Sequence, residues 1–509
     1  NIIFAKEQGA KLIVIDPIRT GLASMADVWL QIKPGHDGIL AMSMIHEIIS
    51  NNLFDGDFVR DWTIGFDALK DAAGDFEAEK IAKGIWLEPE EIRNVARLYA
   101  TTRPACIIDG NGLDMQLNVF QQTRAVCILR GLTGNLDIPG GDLIPQPIPI
   151  RNIRLKERLP EGIKSVAQDY PLFNTFHETW GVNVQSTVVD AILDEKPYPL
   201  KMLVVQSGNP AVTMADTNRA AKAFEMLDFM VVLDLFMTKT AKMAHVVLPA
   251  CGPFEKTQLN RAFIRNYPII LQNRVIDCVG ESWPDWKITF ELARRLGMDR
   301  EFPWRSAEEV INYQLEPVGV TVDMLREHPE GIRVEDLAHE KYKRIGFKTP
   351  SGKMEICSQR LKDGGYLPVP SLKGETLNPI SFYTERINFP VVGISGARTR
   401  CFTHSQFRNI PSLLNREKGC FVDIHPDDAS GQEILEGSKI RVETPKGSVL
   451  MNARISKLVH PGSVRIGWCW GDLDPRLNLN NLTDDDKRDP VTGTPSSRSF
   501  MCRLVKERR

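Results

Sequence analysis

The sequence lacks the short motifs that most often reveal a cofactor site. It contains no C-x-x-C pair, and its nine cysteines are so scattered that Cys401 and Cys420 are the nearest neighbours. It also lacks the glycine-rich patterns G-x-G-x-x-G and G-x-x-x-x-G-K-[ST]. These absences argue against a disulfide scaffold, against a zinc or iron–sulfur cluster within this chain, and against an ordinary NAD site or P-loop.

An excess of charge and long apolar runs are lacking as well. The chain has 63 Lys and Arg against 65 Asp and Glu, a formal net charge of −2. It has no uninterrupted run of about 18 apolar residues. These features predict no nucleic-acid partner and no direct membrane insertion. The first residue is Asn1, so the sequence is expected to begin inside a fold, and the lack of a targeting segment carries no information.

What the chain contains is two stretches of alternating strand and helix signals and then a β-rich end. "KLIVI" and "ACIID" are typical of strands in a parallel sheet, and "GILAMSMIHEIISNN" of a helix. Residues 166–375 repeat this pattern of residues 1–165, with "DFMVVLD" and "AHVVLPA" as strands. From about 380 the sequence alternates around Pro445-Lys446-Gly447, which predicts a hairpin and a separate small β-barrel over 380–509.

The most informative pattern is an internal repeat. "IDPIRTGLASMADVWL" (15–30) matches "LDLFMTKTAKMAHVVL" (233–248) at a constant offset of 218 residues, with seven identities in 16 positions. Asp16 aligns with Asp234 and Thr20 with Thr238. Each copy therefore has a strand, a carboxylate at its C-terminal end, a hydroxyl four residues later, and a second strand.

A carboxylate at the end of a parallel strand has two interpretations. Ligands of open α/β sheets bind outside the carboxyl ends of the strands, where Asp16 and Asp234 could accept hydrogen bonds from ribose hydroxyls or a guanine edge. Alternatively, each aspartate only caps the turn that follows it. The duplicated context favours a shared ligand-binding role, with two related sites or one elongated ligand held at both ends.

At these residues the sequence resembles the molybdopterin-dependent oxidoreductases of the DMSO reductase family. The resemblance covers nearly the whole chain and rests on motifs in family order: "GAKLIVIDPIRT", "ADVWLQIKPGHDG", "LRGLTGNLDIPGGD", "VVQSGNP", "VLDLFMTKTAKMAHVVLPACGPFEK", "TPSGKMEI", "GARTRCFTHSQ" and "NLTDDDKRDPVTGTPSSRSF". It implies an α/β fold with two Rossmann-like parallel-sheet domains related by pseudo-symmetry, 1–165 and 166–375. A C-terminal, double-psi-like β-barrel over 380–509 would close over the cofactors.

The resemblance implies two molybdopterin guanine dinucleotides around one Mo or W atom. One guanosine would contact Asp16, Arg19 and Thr20, with Gly35 and Asp37 at its base. The other would contact Gly208, Asn209, Asp234 and Thr238. The remaining implied contacts, from the barrel to the pterins, are Arg398, His404, Ser405, Gln406, Asn481, Thr483 and Arg498. No metal ligand is implied within this chain, and no catalytic group is assigned.

The implied function is two-electron transfer of an oxygen atom, a sulfur atom or a hydride equivalent on a small substrate, with an iron–sulfur electron-transfer subunit as partner. A non-redox tungsten hydratase resembling acetylene hydratase is the alternative. A cofactor-free structural subunit is disfavoured because the pterin motifs are retained. The resemblance is to prokaryotic enzymes and leaves cytoplasm and periplasm equally open.

The family's N-terminal part, with its [4Fe–4S] cysteines and metal-ligating side chain, is not matched in this sequence. The chain is therefore expected to be part of a larger enzyme, poorly stable alone and unable to hold cofactor at full affinity.

A few residues depart from the family pattern or have plain structural interpretations. His245 stands where the family usually has Asp, as Asp27 does in the first copy. Arg498 is more often Lys. His36 is expected to be an exposed turn residue, and Trp468 is expected to pack in or at the rim of the barrel.

Overall fold

The computed structural model describes residues 1–155, 158, 165–172, 185–260, 268–371, 387–397, 399, 401–417 and 419–507. The helices are α1 Ile2–Glu7, α2 Asp37–Ser50, α3 Gly56–Trp62, α4 Phe66–Ala73, α5 Ala78–Ile81, α6 Pro89–Thr101, α7 Asn111–Asp114, α8 Val119–Leu132, α9 Gln185–Leu193, α10 Pro210–Thr213, α11 Thr217–Glu225, α12 Asp285–Arg295, α13 Ala307–Leu315, α14 Val322–Glu327, α15 Tyr342–Ile345, α16 Gln359–Asp363, α17 Pro411–Leu414 and α18 Pro426–Gly431. The strands are β1 Ile13–Ile15, β2 Val28–Leu30, β3 Thr63–Ile64, β4 Met202–Gln206, β5 Phe229–Asp234, β6 Val246–Pro249, β7 Gln258–Leu259, β8 Leu271–Gln272, β9 Met354–Glu355, β10 Val391–Ala397, β11 Phe421–Ile424, β12 Lys439–Thr444, β13 Gly447–Ile455, β14 Ser463–Gly467 and β15 Ser499–Lys506.

The first body comprises the N-terminal helices of the chain, which pack around the short parallel sheet of β1 and β2. β1 and β2 pair in parallel, with Ile13 opposite Val28. α2 is buried along most of its length because its sequence is apolar almost all round, and it packs against α6 and α8. The strand predicted for residues 105–109 is wrong: within the described ranges the segment pairs with no strand, and the Ile107 N–H donates to the Asp142 carboxylate instead.

The second body is built on a three-stranded parallel sheet in the order β4-β5-β6. β5 is the central strand and is buried over Met230–Leu233, as its uninterrupted apolar sequence predicts. α11 begins at the N-cap Asp216, whose side chain accepts from the Arg219 N–H (3.1 Å), and packs its apolar face on this sheet.

Two chain crossings join the first and second bodies. β9 pairs in parallel with β3, and Ile356 is buried in the core of the first body. Conversely, Ile148 and Ile150 of the N-terminal segment pack against the hydrophobic cluster around Ile269, which belongs to the second segment. The boundaries predicted at residues 165 and 375 therefore separate segments that exchange packing residues.

The C-terminal strands close into a six-stranded barrel in the order β10-β14-β11-β13-β12-β15. The predicted hairpin is confirmed: β12 and β13 pair antiparallel, with Thr444 opposite Gly447. β10 pairs in parallel with β14, and β11 pairs in parallel with β13. The fold class is thus α/β with parallel sheets and a closed C-terminal barrel.

The barrel contacts both sheet bodies through the loops that follow their strands. Ile18, two residues after the first strand-end carboxylate, is buried in a cluster with Val392, Ile394 and Met501 of the barrel. On the other body, Asn480 Nδ2 donates to the carbonyl oxygen of Val212 (2.8 Å). None of the helices in the described ranges has the length and apolar character needed to cross a membrane.

Candidate functional site

The two aligned aspartates lie at equivalent strand ends and form the same turn. The Ile18 N–H donates to Asp16 Oδ1 (2.8 Å), and the Phe236 N–H donates to Asp234 Oδ1 (3.1 Å). Each aspartate therefore caps its turn with one oxygen, as the structural interpretation predicts. Capping does not exclude ligand binding, because a carboxylate has two oxygens and about four acceptor sites.

The hydroxyls four residues later repeat as well. Thr20 Oγ1 accepts from the Ala23 N–H (3.2 Å), and Thr238 Oγ1 accepts from the Ala241 N–H (3.2 Å). In each copy the donor is the first residue of a short 3₁₀-helix, which leads into the second strand of the copy. The sequence repeat is thus a repeat of backbone geometry, with matched strand register in both sheets.

The departure at His245 has a structural explanation. In the first copy, Asp27 Oδ2 accepts from the Leu12 N–H (2.8 Å). In the second copy the equivalent donor is the Met230 N–H, which bonds to His245 Nδ1 (3.0 Å). The imidazole nitrogen thus replaces a carboxylate oxygen as acceptor, which places the ring proton on Nε2.

Electrostatics in the first copy are set by two neighbouring carboxyls and one arginine of the barrel. Burial raises the pKa of Asp16, while the Ile18 N–H and the positive charge of Arg465 oppose the shift. Burial, with a further contribution from Asp16, raises the pKa of Asp37 to about 6. Arg465 is oriented by Asp423, a fully buried carboxylate that accepts from its Nε (2.6 Å).

The turn that precedes Asp37 is more enclosed than the sequence predicts. His36 is 2 % exposed and its Nδ1 lies 2.9 Å from the carbonyl oxygen of Pro34, so the prediction of an exposed turn histidine is wrong. Gly35 has φ +73°, a conformation that favours glycine, and its carbonyl oxygen accepts from Asn118 Nδ2 (3.4 Å). The buried Oδ1 of Asn118 has no hydrogen-bond partner among the described residues.

In the second copy, Asn209 joins the sheet to the barrel. Its Nδ2 donates to Asp472 Oδ1 (3.0 Å) and to Ser405 Oγ (3.3 Å), and its Oδ1 accepts from Thr240 Oγ1 (2.6 Å). Gly208, just before it, is partly exposed. Asn209 is buried, and its amide makes these bonds, so the structure brings together Asn209 and Ser405, two residues that were predicted to contact different parts of the cofactor.

Electrostatics around Asp234 mirror those of the first copy with a different neighbour. Burial raises the pKa of Asp234, the N–H groups of Phe236 and Leu235 oppose the shift, and the negative charge of Asp472 adds to it. Asp472 also accepts from the Lys239 N–H (2.6 Å). In the first copy, Arg19, which was predicted to contact the guanosine held there, is exposed. Its guanidinium lies 5.7 Å from the centre of the Trp29 ring.

At the barrel rim, a tryptophan connects two predicted residues. The ring of exposed His404 lies 4.7 Å from that of Trp468, and the Arg498 guanidinium lies 5.2 Å from the same tryptophan. Gly396, at φ +84°, allows Arg498 to approach, because any Cβ there would collide with the guanidinium. Gln406 is exposed beside this group.

The remaining predicted barrel residues lie elsewhere. Thr483 is fully buried, and its hydroxyl accepts from the Asp216 N–H (3.3 Å), so it ties the barrel to the second body. Asn481 is partly exposed and donates to the carbonyl oxygen of Pro475 (3.1 Å). Arg398 lies outside the described residues.

Four residues at the site were not predicted as functional from the sequence: Trp468, Arg465, Asp472 and Arg408. An arginine within an apolar barrel strand was a usable signal for Arg465, and an acid directly after a strand was one for Asp472. Trp468 and Arg408 gave no signal, because their neighbours come from distant segments.

The donor set fits a guanine dinucleotide with a pterin. Partly buried carboxylates at two strand ends suit the adjacent N–H donors of guanine edges, and Arg19, Arg465 and Arg498 suit a pyrophosphate. The orphaned Oδ1 of Asn118 is a further acceptor beside the first copy. Within the described ranges, no three His, Cys, Asp or Glu side chains are grouped as a metal site.

Each of the two sheets thus has a partly buried carboxylate at a strand end and a matched hydroxyl four residues later, and the closed barrel contacts both sheets. The family model "Molybdopterin oxidoreductase" matches residues 1–295, and "Molydopterin dinucleotide binding domain" matches residues 394–501. The chain belongs to the molybdopterin oxidoreductase family. It is an enzyme of that family, a catalytic subunit built for a molybdenum- or tungsten-pterin cofactor.

Individual relatives include enzymes with different reactions. The chain is 30% identical to acetylene hydratase of Syntrophotalea acetylenica, over 97% of this chain and 73% of that protein. It is 28% identical to the F420-dependent formate dehydrogenase subunit alpha of Methanocaldococcus jannaschii, over 95% and 71%. The solved structure of acetylene hydratase from Pelobacter acetylenicus superposes with a TM-score of 0.89 at 28% identity, covering 99% of this chain and 75% of that one.

Proposed function

We propose that this chain is the catalytic subunit of an oxidoreductase that holds two guanine dinucleotides of molybdopterin and transfers an oxygen atom, a sulfur atom or a hydride equivalent on a small substrate. The observation that supports two dinucleotides is the repeated geometry at Asp16 and Asp234. When bound, the molybdenum or tungsten would supply the two-electron chemistry.

The residues of the chain divide by the part of the cofactor they would contact. Asp16, Arg19 and Thr20, with Gly35 and Asp37, would hold one guanosine, and Gly208, Asn209, Asp234 and Thr238 the other. The barrel residues Arg398, His404, Ser405, Gln406, Asn481, Thr483 and Arg498 would contact the pterins. The role proposed for these residues is binding and orientation of the cofactor.

The number of dinucleotides is tested by composition. The enzyme that contains this chain, purified from its native source, is analysed for molybdenum and tungsten and, after acid hydrolysis, for released GMP. The proposal expects two GMP for each metal atom. One GMP for each metal, or a molybdopterin without nucleotide, contradicts it.

Two relatives of similar identity support different reactions, so a second candidate is a non-redox hydratase. The similarity to acetylene hydratases in sequence and structure favours it. Redox turnover of formate, nitrate or thiosulfate consumes or produces electrons that a viologen dye reports, whereas hydration of an alkyne needs water alone. Dye-coupled turnover supports the oxidoreductase, and dye-independent hydration supports the hydratase.

We also propose an iron–sulfur subunit as electron partner and a [4Fe–4S] cluster in a part of the enzyme outside this chain. The similarity to a formate dehydrogenase alpha subunit supports both. Copurification of a tagged chain from its native source, followed by iron and sulfide analysis, tests them. An active enzyme free of iron contradicts the proposal.

A further inference from the structure

Arg408 is a buried cation beside the barrel rim. Its side chain is 2 % exposed, and its guanidinium lies 4.6 Å from the Phe402 ring and 4.3 Å from the Trp470 ring. Within the described ranges, no acidic side chain forms an ion pair with it. Burying a charge without an opposite charge is costly, so its position requires a reason beyond filling space.

The guanidinium joins two distant segments of the rim. Nη2 donates to the carbonyl oxygen of Trp468 (2.7 Å), and Nε donates to that of His404 (3.3 Å). These are the residues whose rings contact each other at 4.7 Å. One planar group therefore sets the spacing of the two backbones that carry the rim side chains.

The loop that Arg408 holds is conformationally strained. His404 has φ +53° and Phe407 has φ +65°, both in the left-handed region that non-glycine residues rarely adopt. Such conformations persist only where the surroundings fix them, and they concentrate at ligand-binding sites. The Nη1 atom of Arg408 is buried with no hydrogen-bond partner in the described part of the chain, so the packing leaves one donor unsatisfied.

We infer that Arg408 is a positioning residue for the pterin-binding rim. It holds the His404 loop in its strained form against Trp468 and so orients the side chains that face the cofactor. This inference rests on the proposed function, since the rim is taken to bind a pterin. It predicts that a guanidinium, and not positive charge alone, is needed at this position.

Substitution of Arg408 tests the inference through cofactor retention. Arg408→Met is expected to lower the molybdenum plus tungsten content per folded chain about tenfold or more, the usual range for a residue that orients ligand-binding groups. Arg408→Lys keeps the charge but cannot donate to both carbonyl oxygens in a fork, so it is expected to recover only part of the content.

A matched control separates positioning from stability. Arg294 also has a largely buried side chain, 8% exposed, and its Nη1 donates to the carbonyl oxygen of Trp304 (3.1 Å) in the second body, although its Nη2 is paired with Glu291. Arg294→Met is expected to lower the melting temperature while leaving the metal content at the wild-type value. Loss of metal content in Arg294→Met equal to that in Arg408→Met overturns the inference.

Chemical rescue gives a readout that a purely structural role would not move. Guanidinium ion at millimolar concentration, added while cofactor is loaded, is expected to raise the metal content of Arg408→Ala, and ammonium ion is not. Equal effects of the two ions overturn the inference. A folded Arg408→Lys chain with wild-type metal content also overturns it, and this variant decides if Arg408→Met does not fold.

The outcomes also distinguish this inference from the proposed function. Wild-type enzyme that contains this chain but lacks bound metal and guanosine contradicts the proposed function. A wild-type chain that holds both, alongside folded Arg408 variants that hold as much, contradicts only the role of Arg408.

Discussion

In the first half of the chain Asp16 follows β1 and Asp27 precedes β2, and in the second half Asp234 is the last residue of β5 and His245 precedes β6. The carboxylates at the strand ends and the bonds they accept are the same in both halves. The residue before the second strand differs, since it is Asp27 in one half and His245 in the other, yet each accepts a hydrogen bond from the equivalent backbone N–H. The backbone geometry is therefore the same in both halves, although the side chain that accepts from this N–H is a carboxylate in one and an imidazole in the other.

The halves also differ in the acids that follow them. Asp37 begins α2 at the position that corresponds, at the same offset, to Glu255. Burial raises the pKa of Asp37 to about 6. The N–H groups of Val279 and Gly252 lower the pKa of Glu255. The protonated form of Asp37 is thus favoured by burial, whereas the carboxylate form of Glu255 is favoured by N–H groups of its own chain.

The largest expected effect comes from the strand-end carboxylates. Asp16→Asn and Asp234→Asn keep an oxygen for the turn but place an amide donor against the donors of guanine. Loss of one charged hydrogen bond is expected to weaken binding of a guanosine nucleotide roughly ten- to hundredfold. Isothermal titration with GMP, and metal content, measure it.

The exposed Asp71→Asn serves as control for the strand-end variants. If Asp16→Asn and Asp234→Asn are both folded and bind GMP as the wild type does, the two aspartates only cap their turns. The likeness of the two halves then has no functional meaning.

The second prediction contrasts the pH dependence of Asp37 and Glu255. Folded Asp37 keeps its proton up to about pH 6, whereas the unfolded chain loses it near 4, so its contribution to stability falls as pH rises through this window. Asp37→Asn is expected to remove a change in the free energy of unfolding on the order of 2 kcal/mol between these pH values. Urea unfolding at a series of pH values measures it.

Glu255 has the opposite sign. Its pKa is lower in the folded chain, so its contribution is present above the pKa of the unfolded state and is lost as pH falls through the folded value. Glu255→Gln should therefore reduce the loss of stability in acid. If the free energy of unfolding depended on pH in the same way in Asp37→Asn and Glu255→Gln, the opposite pKa shifts assigned to the two acids would be contradicted.

A third, smaller effect concerns the exchanged acceptors. His245→Leu leaves the Met230 N–H without its partner and is expected to lower the melting temperature. His245→Asp supplies a carboxylate, as in the first half, and should retain most of the stability. Thermal unfolding followed by circular dichroism compares them, and a stable His245→Leu chain would show that this bond is dispensable.

The smallest effect is expected at Lys6, which donates to Asp27 Oδ2 (2.6 Å) at the surface in the first half. Exposed ion pairs contribute little and are screened by salt. Lys6→Ala is therefore expected to shift the melting temperature only slightly at low ionic strength and not at all at high salt. A large shift that persists in salt would mean that Lys6 supports the first half in another way.

Local sequence patterns predicted the elements whose form depends on neighbours in the chain. The β12–β13 hairpin, the apolar helix α2 and the repeat around Asp16 and Asp234 follow from periodicity and turn residues. The failures share a different cause. Residues 105–109 have a strand-like sequence but find no partner strand in the described chain, and His36 has a turn-like sequence but is covered by other segments.

The sequence by itself determined the duplicated arrangement of strand, carboxylate and hydroxyl, the presence of two α/β segments and a β-barrel, and the family. These features depend only on the order and spacing of residues along the chain. Only the tertiary structure decided that Arg465 acts on Asp16 and that Arg408 holds His404 beside Trp468. Each of these depends on atoms that are far apart in sequence, and their meeting is set by how the barrel closes on the sheets.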